Sequence, residues 1–330
     1  MNLRSRILEL LRKAGEEYMS GEEIAKRLGV SRTAVWKHIK ELREAGYGIK
    51  SRSRSGYALE ETPDCLLPGE IKNGLRTRFI AKDIVFFEEI DSTNQVAKQL
   101  AQKGAAAGTV VVAESQGKGR GRLERSYFSP AGKGIWFSVI LRPHILPQEA
   151  PKCTLLAAVA VAMAMKRFGL KAEIKWPNDI LHDGKKLTGI LTEMSAEIDR
   201  INYIVIGTGI NVNIEEEEFP EELRDKATSL SIMKGEKLPR VAFFQAVLEA
   251  LDELCIVLEE DGFAPIIARW REYAVTLGQE VHVIGAIGKD SFDGRAVDID
   301  EEGALLVETE GGVRRVLAGD VSIRPKKARS

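Results

Sequence analysis

Gly117-Lys-Gly-Arg-Gly-Arg-Leu-Glu-Arg-Ser-Tyr-Phe-Ser-Pro130 sets three arginines within nine residues among three alternating glycines. Neither half of that composition suits a packed helix or a strand centre, because glycine loses much backbone freedom on ordering and arginine resists full burial. Yet apolar runs bound it on both sides. Thr109–Ala113 reads as a strand, and Ile135-Trp-Phe-Ser-Val-Ile-Leu141 as another, both rich in branched and aromatic residues. A flexible cationic loop is therefore strung between two buried strands. Its glycines allow a change of conformation, and arginine forks pair bidentately with phosphate or carboxylate oxygens. Such a loop suits a site where two anions meet, since concentrated positive charge offsets their repulsion.

Outward from the loop, Ile84-Val-Phe-Phe87 predicts a short strand, and Asp91-Ser-Thr-Asn94 caps a helix running through Val96, Ala97, Leu100 and Ala101. A helix start of this kind presents N–H groups and hydroxyls to a polar or anionic ligand. Pro151–Phe168 predicts a long apolar helix with Leu155, Val159, Ala162 and Met163 on one face. Ala172–Trp176, Lys186–Glu193 and Tyr203–Ile214 supply further strands. Strands and helices mix without regular βαβ alternation, which predicts a multidomain α+β chain whose central sheet is mostly antiparallel. No G-x-x-x-x-G-K-[ST] occurs, and neither Gly117–Gly121 nor Gly207-Thr-Gly-Ile-Asn211 has the dinucleotide-binding spacing. From Gly278 onward the pattern turns to short strands: Glu280–Ile284, Ser291–Asp298, Ala304–Val307 and Val313–Leu317, separated by Gly- and Asp-rich turns. That spacing predicts a small β-barrel.

The formal net charge of −1 hides an asymmetry. Residues 1–60 carry 13 Lys/Arg against 8 Glu, a net of +5, which leaves −6 for the rest. Charge segregation of this kind points to a nucleic-acid-binding segment. Leu3, Ile7, Leu10 and Leu11 recur at helical spacing up to Gly15. Ser20-Gly-Glu-Glu23 reads as a capping box for a second helix, with Ile24, Ala25 and Leu28 inward and Gly29 at its end. Ser31 caps a third, with Ala34, Val35, Ile39 and Leu42 inward. The tight turn between them is the helix-turn-helix pattern, and Arg32, Thr33, Trp36, Lys37, His38 and Lys40 form the face that would reach base edges and phosphates. Ile49–Leu59 follows as a hairpin with a basic, Ser-rich tip, a wing. Glu60-Glu-Thr-Pro-Asp64 is a polar linker.

Three scattered cysteines and the absence of C-x-x-C or H-E-x-x-H spacing argue against disulfides and a bound zinc. A reducing cytoplasm is expected, with no signal core after Met1–Arg6 and no apolar run long enough to span a bilayer. His144, His182 and His282 show no catalytic spacing, and Glu215–Glu218 reads as a solvated loop.

Four separated motifs carry a resemblance. They are Asp91-Ser-Thr-Asn94, Glu114-Ser-Gln-Gly-Lys-Gly-Arg-Gly-Arg122, Lys175-Trp-Pro-Asn-Asp179 with Lys186-Leu-Thr-Gly-Ile190, and Gly207-Thr-Gly-Ile-Asn211. In this order, behind a helix-turn-helix, they resemble the bifunctional ligase/repressor branch of the biotin protein ligases. The resemblance implies a class II aminoacyl-tRNA synthetase-like catalytic domain and an SH3-like C-terminal domain, with domains at 1–62, 63–275 and 276–330. It implies ATP and Mg²⁺, with biotin as substrate: biotinyl-5′-AMP forms first, and a lysine of a biotin carboxyl carrier protein then takes the biotinyl group. Operator DNA of biotin genes and a homodimer promoted by biotinyl-5′-AMP are the other implied partners. Matched residue by residue, Ser92, Thr93, Asn94 and Gln116 would bind biotin. Arg120, Gly121 and Arg122 would wrap the carboxylate and adenylate, and Lys186 would hold the carboxylate or α-phosphate. Arg120, Arg122 and Lys186 are thus the catalytic residues expected. Lys175, Asn178, Asp179 and Asn211 would hold the nucleotide, Asp179 with Mg²⁺. The motif departs from the family after Arg122, where Leu123-Glu-Arg125 and Tyr127 replace the usual Arg-Gly-Arg and Trp. Two other readings stay open: a biotin-sensing repressor without ligase activity, and a ligase for another acid such as lipoate.

Overall fold

The computed structural model describes residues 3–122, 125–285, 291–318 and 321–325. They fall into two compact units, Met1–Cys65 and Leu66–Ser330.

In the first unit α1 (Leu3–Ala14), α2 (Gly21–Leu28) and α3 (Arg32–Glu44) enclose Ile7, Leu11, Ile24, Val35 and Ile39, all fully buried. Ser20 accepts from the Glu23 N–H at 3.0 Å, and Ser31 from the Ala34 N–H at 3.1 Å. The capping box is only half made: the Glu23 carboxylate pairs forward with Arg27 at 2.6 Å, a charged donor at i+4 that outcompetes a neutral backbone N–H. Gly29 ends α2 with φ +70°. The wing is β1 (Gly48–Arg52) paired antiparallel with β2 (Gly56–Glu61), its tip at Ser53–Ser55. Arg43 donates twice to the Ile49 carbonyl, at 2.9 and 2.7 Å, and so fastens the end of α3 to the wing. Gly56 must be glycine: its φ is +113°, and a Cβ would sit 2.1 Å from the Met19 carbonyl oxygen.

The second unit opens with α4 (Pro68–Lys72), β3 (Ile84–Ile90), α5 (Thr93–Gln102), β4 (Val110–Gln116) and β5 (Gly134–Leu141). It continues through α6 (Pro151–Arg167), β6 (Glu173–Lys175), β7 (Asp179–His182), β8 (Lys185–Ala196) and β9 (Ile201–Asn211). Helices α7 (Glu221–Arg224), α8 (Leu230–Lys234), α9 (Arg240–Glu260) and α10 (Ala264–Tyr273) follow. Among the described residues the central sheet runs β3-β4-β5-β9-β8-β7-β6. Every adjacent pair is antiparallel except β3–β4, which α5 joins by a crossover.

Strand alternation divides the sheet into two faces. Val110 and Val112 join the large core under α6 and α9, while Val111, Ile140 and Val205 turn the other way, towards Ala97 and Ala101 of α5. The expected single apolar face of α6 is corrected. Leu155, Val159 and Ala162 are buried, but so are Leu156, Ala157, Ala160 and Val161, because α9 and α10 pack on the helix as well as the sheet. Strand β9 stops at Asn211, and Ile214, expected to extend it, packs instead with Trp136 and Phe219. The C-terminal strands β10 (Glu280–Gly285), β11 (Phe292–Ile299), β12 (Leu305–Thr309) and β13 (Gly312–Val316) are joined by β14 (Val321–Pro325) in the antiparallel order β13-β12-β11-β10-β14. β14 was not foreseen from the sequence.

Two buried charges knit the second unit. Arg240 meets Glu114 at 2.8 Å and the Gly134 carbonyl at 3.0 Å, while the other Glu114 oxygen accepts from the Leu66 N–H at 2.7 Å. Asp252 of α9 accepts from three successive backbone N–H groups, those of Arg78, Phe79 and Ile80, at 2.7–3.0 Å. Asp252→Ala leaves all three without that acceptor, and a loss of at least about 3 kcal/mol is expected in urea unfolding. A loss below about 1 kcal/mol would show that water replaces the carboxylate.

Candidate functional site

α5 covers only part of its face of the sheet. Beyond the helix N-terminus the strands carry glycine at the same alternation: Gly207 and Gly209 on β9, with Gly189 of β8 opposite Gly209. A Cβ at Gly207 would lie 2.0 Å from Asn94 Oδ1, and one at Gly209 would lie 2.4 Å from the Tyr127 ring. These bare positions floor a cavity of about 540 Å³. Ser92, Thr93, Asn94, Gln116, Arg120, Gly121, Arg122, Lys175, Asn178, Asp179, Lys186 and Asn211 all line it. The expected site residues, dispersed over 120 positions of chain, are thus brought to one place.

Ser92 is the N-cap residue of α5, but its side chain makes no capping hydrogen bond, contrary to the cap expected of Asp91–Asn94. The segment is tied into the sheet instead. The Thr93 N–H donates to Gln116 Oε1 at 2.9 Å, Gln116 Nε2 donates to Ser129 Oγ at 3.0 Å, and Asn94 Nδ2 donates to Glu193 Oε2 at 2.9 Å.

The Gly/Arg loop is folded on itself. The Gly117 and Lys118 N–H groups donate to the Ile90 and Asp91 carbonyls, and the Lys118 ammonium pairs with Asp91 at 2.9 Å. Further along, the Tyr127 N–H donates to Gly119 at 2.8 Å and the Gly121 N–H to Arg125 at 2.7 Å. Arg120 is exposed at the rim. Arg122 reaches Asn178 Oδ1 at 3.1 Å and the Ala318 carbonyl at 2.5 Å, and burial lowers its guanidinium from the ordinary value. Tyr127 lies across Gly189 and Gly209, donates to the Gly209 carbonyl at 2.8 Å, and meets Trp136 edge-on at 6.0 Å. Burial pushes its phenol far above the ordinary range, so it stays a neutral donor. Leu123 and Glu124 lie outside the described residues.

On the opposite wall, Lys186 pairs with Asp179 at 2.7 Å, and its backbone is held on both sides by Lys226 and Thr228. Asn178 donates to the Ile190 carbonyl and Asn211 to the Thr228 carbonyl, each at 2.9 Å, so both amides brace the wall they line. Trp176 is buried and donates to the Gly303 carbonyl at 3.0 Å, so the tryptophan of the Lys-Trp-Pro-Asn-Asp motif fastens the C-terminal sheet while it also lines the cavity. Tyr127, Ser138, Glu193 and Trp176 were not assigned site roles from the sequence. The glycine alternation on β9 was the one signal that space there belonged to something else. Among the described residues, His144, His182 and His282 sit against Glu259, Asp183 and Asp293, outside the cavity lining. No group of three or more His, Cys, Asp or Glu there could hold a metal, and no helix is long and apolar enough to cross a membrane.

In the first unit Arg32, Thr33, Trp36, Lys37 and Lys40 are exposed on α3. His38 is half-buried and turned to Glu41 at 2.8 Å, a contact that lowers the Glu41 carboxyl from its ordinary value. It therefore stands at the margin of the cationic face.

Residues 86–211 match the biotin/lipoate A/B protein ligase family, residues 3–58 an HTH domain, and residues 276–324 the biotin protein ligase C-terminal domain. The chain is 44% identical to the bifunctional ligase/repressor BirA of Bacillus subtilis over 322 residues, 97% of this chain and 98% of that one. Identity to the Escherichia coli bifunctional ligase/repressor BirA is 31% over 94% of each chain. A biotin protein ligase from Aquifex aeolicus, solved with biotin and ATP, aligns with a TM-score of 0.65 at 31% identity, covering 74% of this chain and 100% of that one. With near-complete coverage at this identity, the chain belongs to the biotin protein ligase family.

Proposed function

We propose that this chain is an ATP-dependent biotin protein ligase and, through its first unit, a biotin-responsive repressor. The observation that carries the ligase reading is the placement of Arg120, Arg122 and Lys186 around one cavity with the Thr93–Gln116 wall. The head group of biotin rests on Ser92, Thr93, Asn94 and Gln116. Its carboxylate oxygen attacks the α-phosphorus of ATP, the bond to the bridging oxygen breaks, and pyrophosphate leaves. Arg120 and Arg122 offset the repulsion between the two anions. Lys186 waits in its ion pair with Asp179 and turns to the α-phosphate oxygens as charge gathers there. Lys175, Asn178 and Asn211 hold the nucleotide. The site fits a magnesium ion that arrives with the phosphates, since Asp179 and Asp225 are the lining carboxylates and Mg²⁺ keeps most of its ligands as water and phosphate. When bound, the ion neutralises phosphate charge. In the second step a carrier lysine amine attacks the acyl carbon, loses its proton, and AMP leaves. We read the central unit as class II synthetase-like, the C-terminal sheet as SH3-like, the domain limits as 1–62, 63–275 and 276–330, and the cytoplasm as the compartment.

Lys186→Ala is expected to cut biotin-dependent ATP–pyrophosphate exchange at saturating biotin by about 100-fold or more, while biotin affinity changes little. A rate near wild type removes Lys186 from the chemistry, and no exchange in the wild type leaves only a sensor.

Removing residues 1–62 should abolish operator binding while pyrophosphate exchange persists, because the cationic recognition face and the cavity lie in different units. Loss of exchange by a folded remainder would show that the two depend on each other.

A lone recognition helix makes few phosphate contacts and binds weakly at physiological salt, so pairing on a two-fold site is expected. Ordering the loop over biotinyl-5′-AMP lowers the entropic cost of a dimer interface. Sedimentation should show more dimer with biotin plus ATP than with biotin alone or no ligand. Equal dimer fractions in all three would make the protein a constitutive binder.

A further inference from the structure

The family match for residues 86–211 spans ligases for both biotin and lipoate, whose carboxyl arms are alike and whose head groups differ. A wall of the cavity whose hydrogen-bonding polarity is fixed would tell such head groups apart, and the wall at Thr93 is tied into a buried network. Ser138, on β5, is fully buried behind it, with its hydroxyl 2.8 Å from Thr93 Oγ1 and 2.6 Å from Asn94 Oδ1.

The proton positions follow from the fixed ends of this chain of contacts. Asn94 nitrogen faces Glu193 Oε2 at 2.9 Å and the Leu191 carbonyl at 3.3 Å. Both only accept, so the Asn94 oxygen is the atom turned to Ser138. Lys98, 2.6 Å from the other Glu193 oxygen, holds that carboxylate in place. An amide oxygen cannot donate, so the Ser138 proton goes to Asn94. At the other end the Thr93 backbone N–H can only donate, so Gln116 presents its oxygen there, at 2.9 Å, and its nitrogen to Ser129. The Thr93 hydroxyl lies between two acceptors, Ser138 Oγ at 2.8 Å and Gln116 Oε1 at 3.1 Å. Its single proton goes to one of them. Thr93 therefore offers the cavity lone pairs only, and Gln116 beside it carries a second N–H beyond the one given to Ser129.

We infer that Ser138 is a specificity-positioning residue, which with Asn94 and Glu193 fixes the Thr93 hydroxyl as an acceptor, so that the cavity takes a head group with an N–H next to a carbonyl, a cyclic urea such as that of biotin, and rejects a dithiolane. This rests on the biotin ligase reading above. A head group without an N–H leaves buried polar atoms unpaired, the kind of mismatch that discriminates most strongly.

The test is a double-mutant cycle in the full chain with Ser138→Ala, Thr93→Val and both, reading biotin affinity by calorimetry and pyrophosphate exchange by initial rates. Ser138→Ala should raise the biotin Kd and KM about tenfold with kcat held within about twofold. In the Thr93→Val background it should add less than about twofold, since its effect passes through that hydroxyl. Ser138→Cys, nearly isosteric and a weak donor, closes the same cycle if the alanine variant does not fold. Wild-type protein should bind lipoic acid weaker than biotin by on the order of 10⁴-fold. Additive losses in the double variant, an unchanged Kd in Ser138→Ala, or comparable binding of the two acids overturns the inference, while biotin-dependent exchange by the wild type keeps the ligase reading standing. Absence of that exchange overturns the reading itself.

Discussion

Arg240 holds both ends of the glycine- and arginine-rich loop. Its guanidinium meets Glu114, on the strand entering the loop, and the Gly134 carbonyl, at the start of the strand leaving it. The pair is buried, with Arg240 at 1% exposure, so its desolvation is offset only because hydrogen bonds also reach the Leu66 N–H and Gly134. Removing one partner of such a pair typically costs about 3–5 kcal/mol. Anchored at both ends in this way, the loop between them can rearrange without disturbing β4 or β5. Its inner contacts are of a weaker sort: the Lys118–Asp91 pair is exposed, and exposed pairs contribute about 0–1 kcal/mol.

The second constraint is that one face of a sheet must both pack against a helix and leave room for a ligand. Val111, Ile140 and Val205 serve the helix, and Gly189, Gly207 and Gly209 serve the cavity, on the same side of neighbouring strands. Glycine weakens a strand interior, a cost the flanking Ile206 and Ile210 offset by burial on the opposite face. Tyr127 lies over part of this bare floor, where its ring covers backbone that a Cβ would otherwise shield.

Much of this was legible in the chain because the deciding signals are local. Ser31 and Gly29 mark helix ends through backbone geometry that depends on neighbours a few positions away, and Val110–Ala113 is an unbroken apolar, mostly β-branched run of the kind a strand buried on both faces carries. The site residues were legible too, though as a resemblance of spaced motifs rather than from any one residue. What escaped the sequence joins distant positions. The Trp176–Gly303 bond spans 127 residues, so nothing near Trp176 marks it as an anchor for the C-terminal sheet. Ser92 looks like a cap and is one by position, yet its side chain makes no capping bond at the α5 terminus. The half-made capping box at Ser20 failed for a different reason: Arg27 competes for Glu23, and motif spacing does not weigh rival donors.

The distribution of the four tryptophans has an optical consequence. Trp136, Trp176 and Trp270 are fully buried in the second unit, whereas Trp36 stands 59% exposed on α3 of the first. Indoles in apolar surroundings emit at shorter wavelength than hydrated ones, so the red edge of the emission belongs to Trp36 and the blue edge to the ligase core. Trp136 lies edge-on to Tyr127, close enough for its yield to follow the loop. The chain thus carries two intrinsic fluorophore populations with no added label, one on the recognition helix and the other in the core of the second unit, where Trp176 lines the cavity and Trp136 stands beside Tyr127.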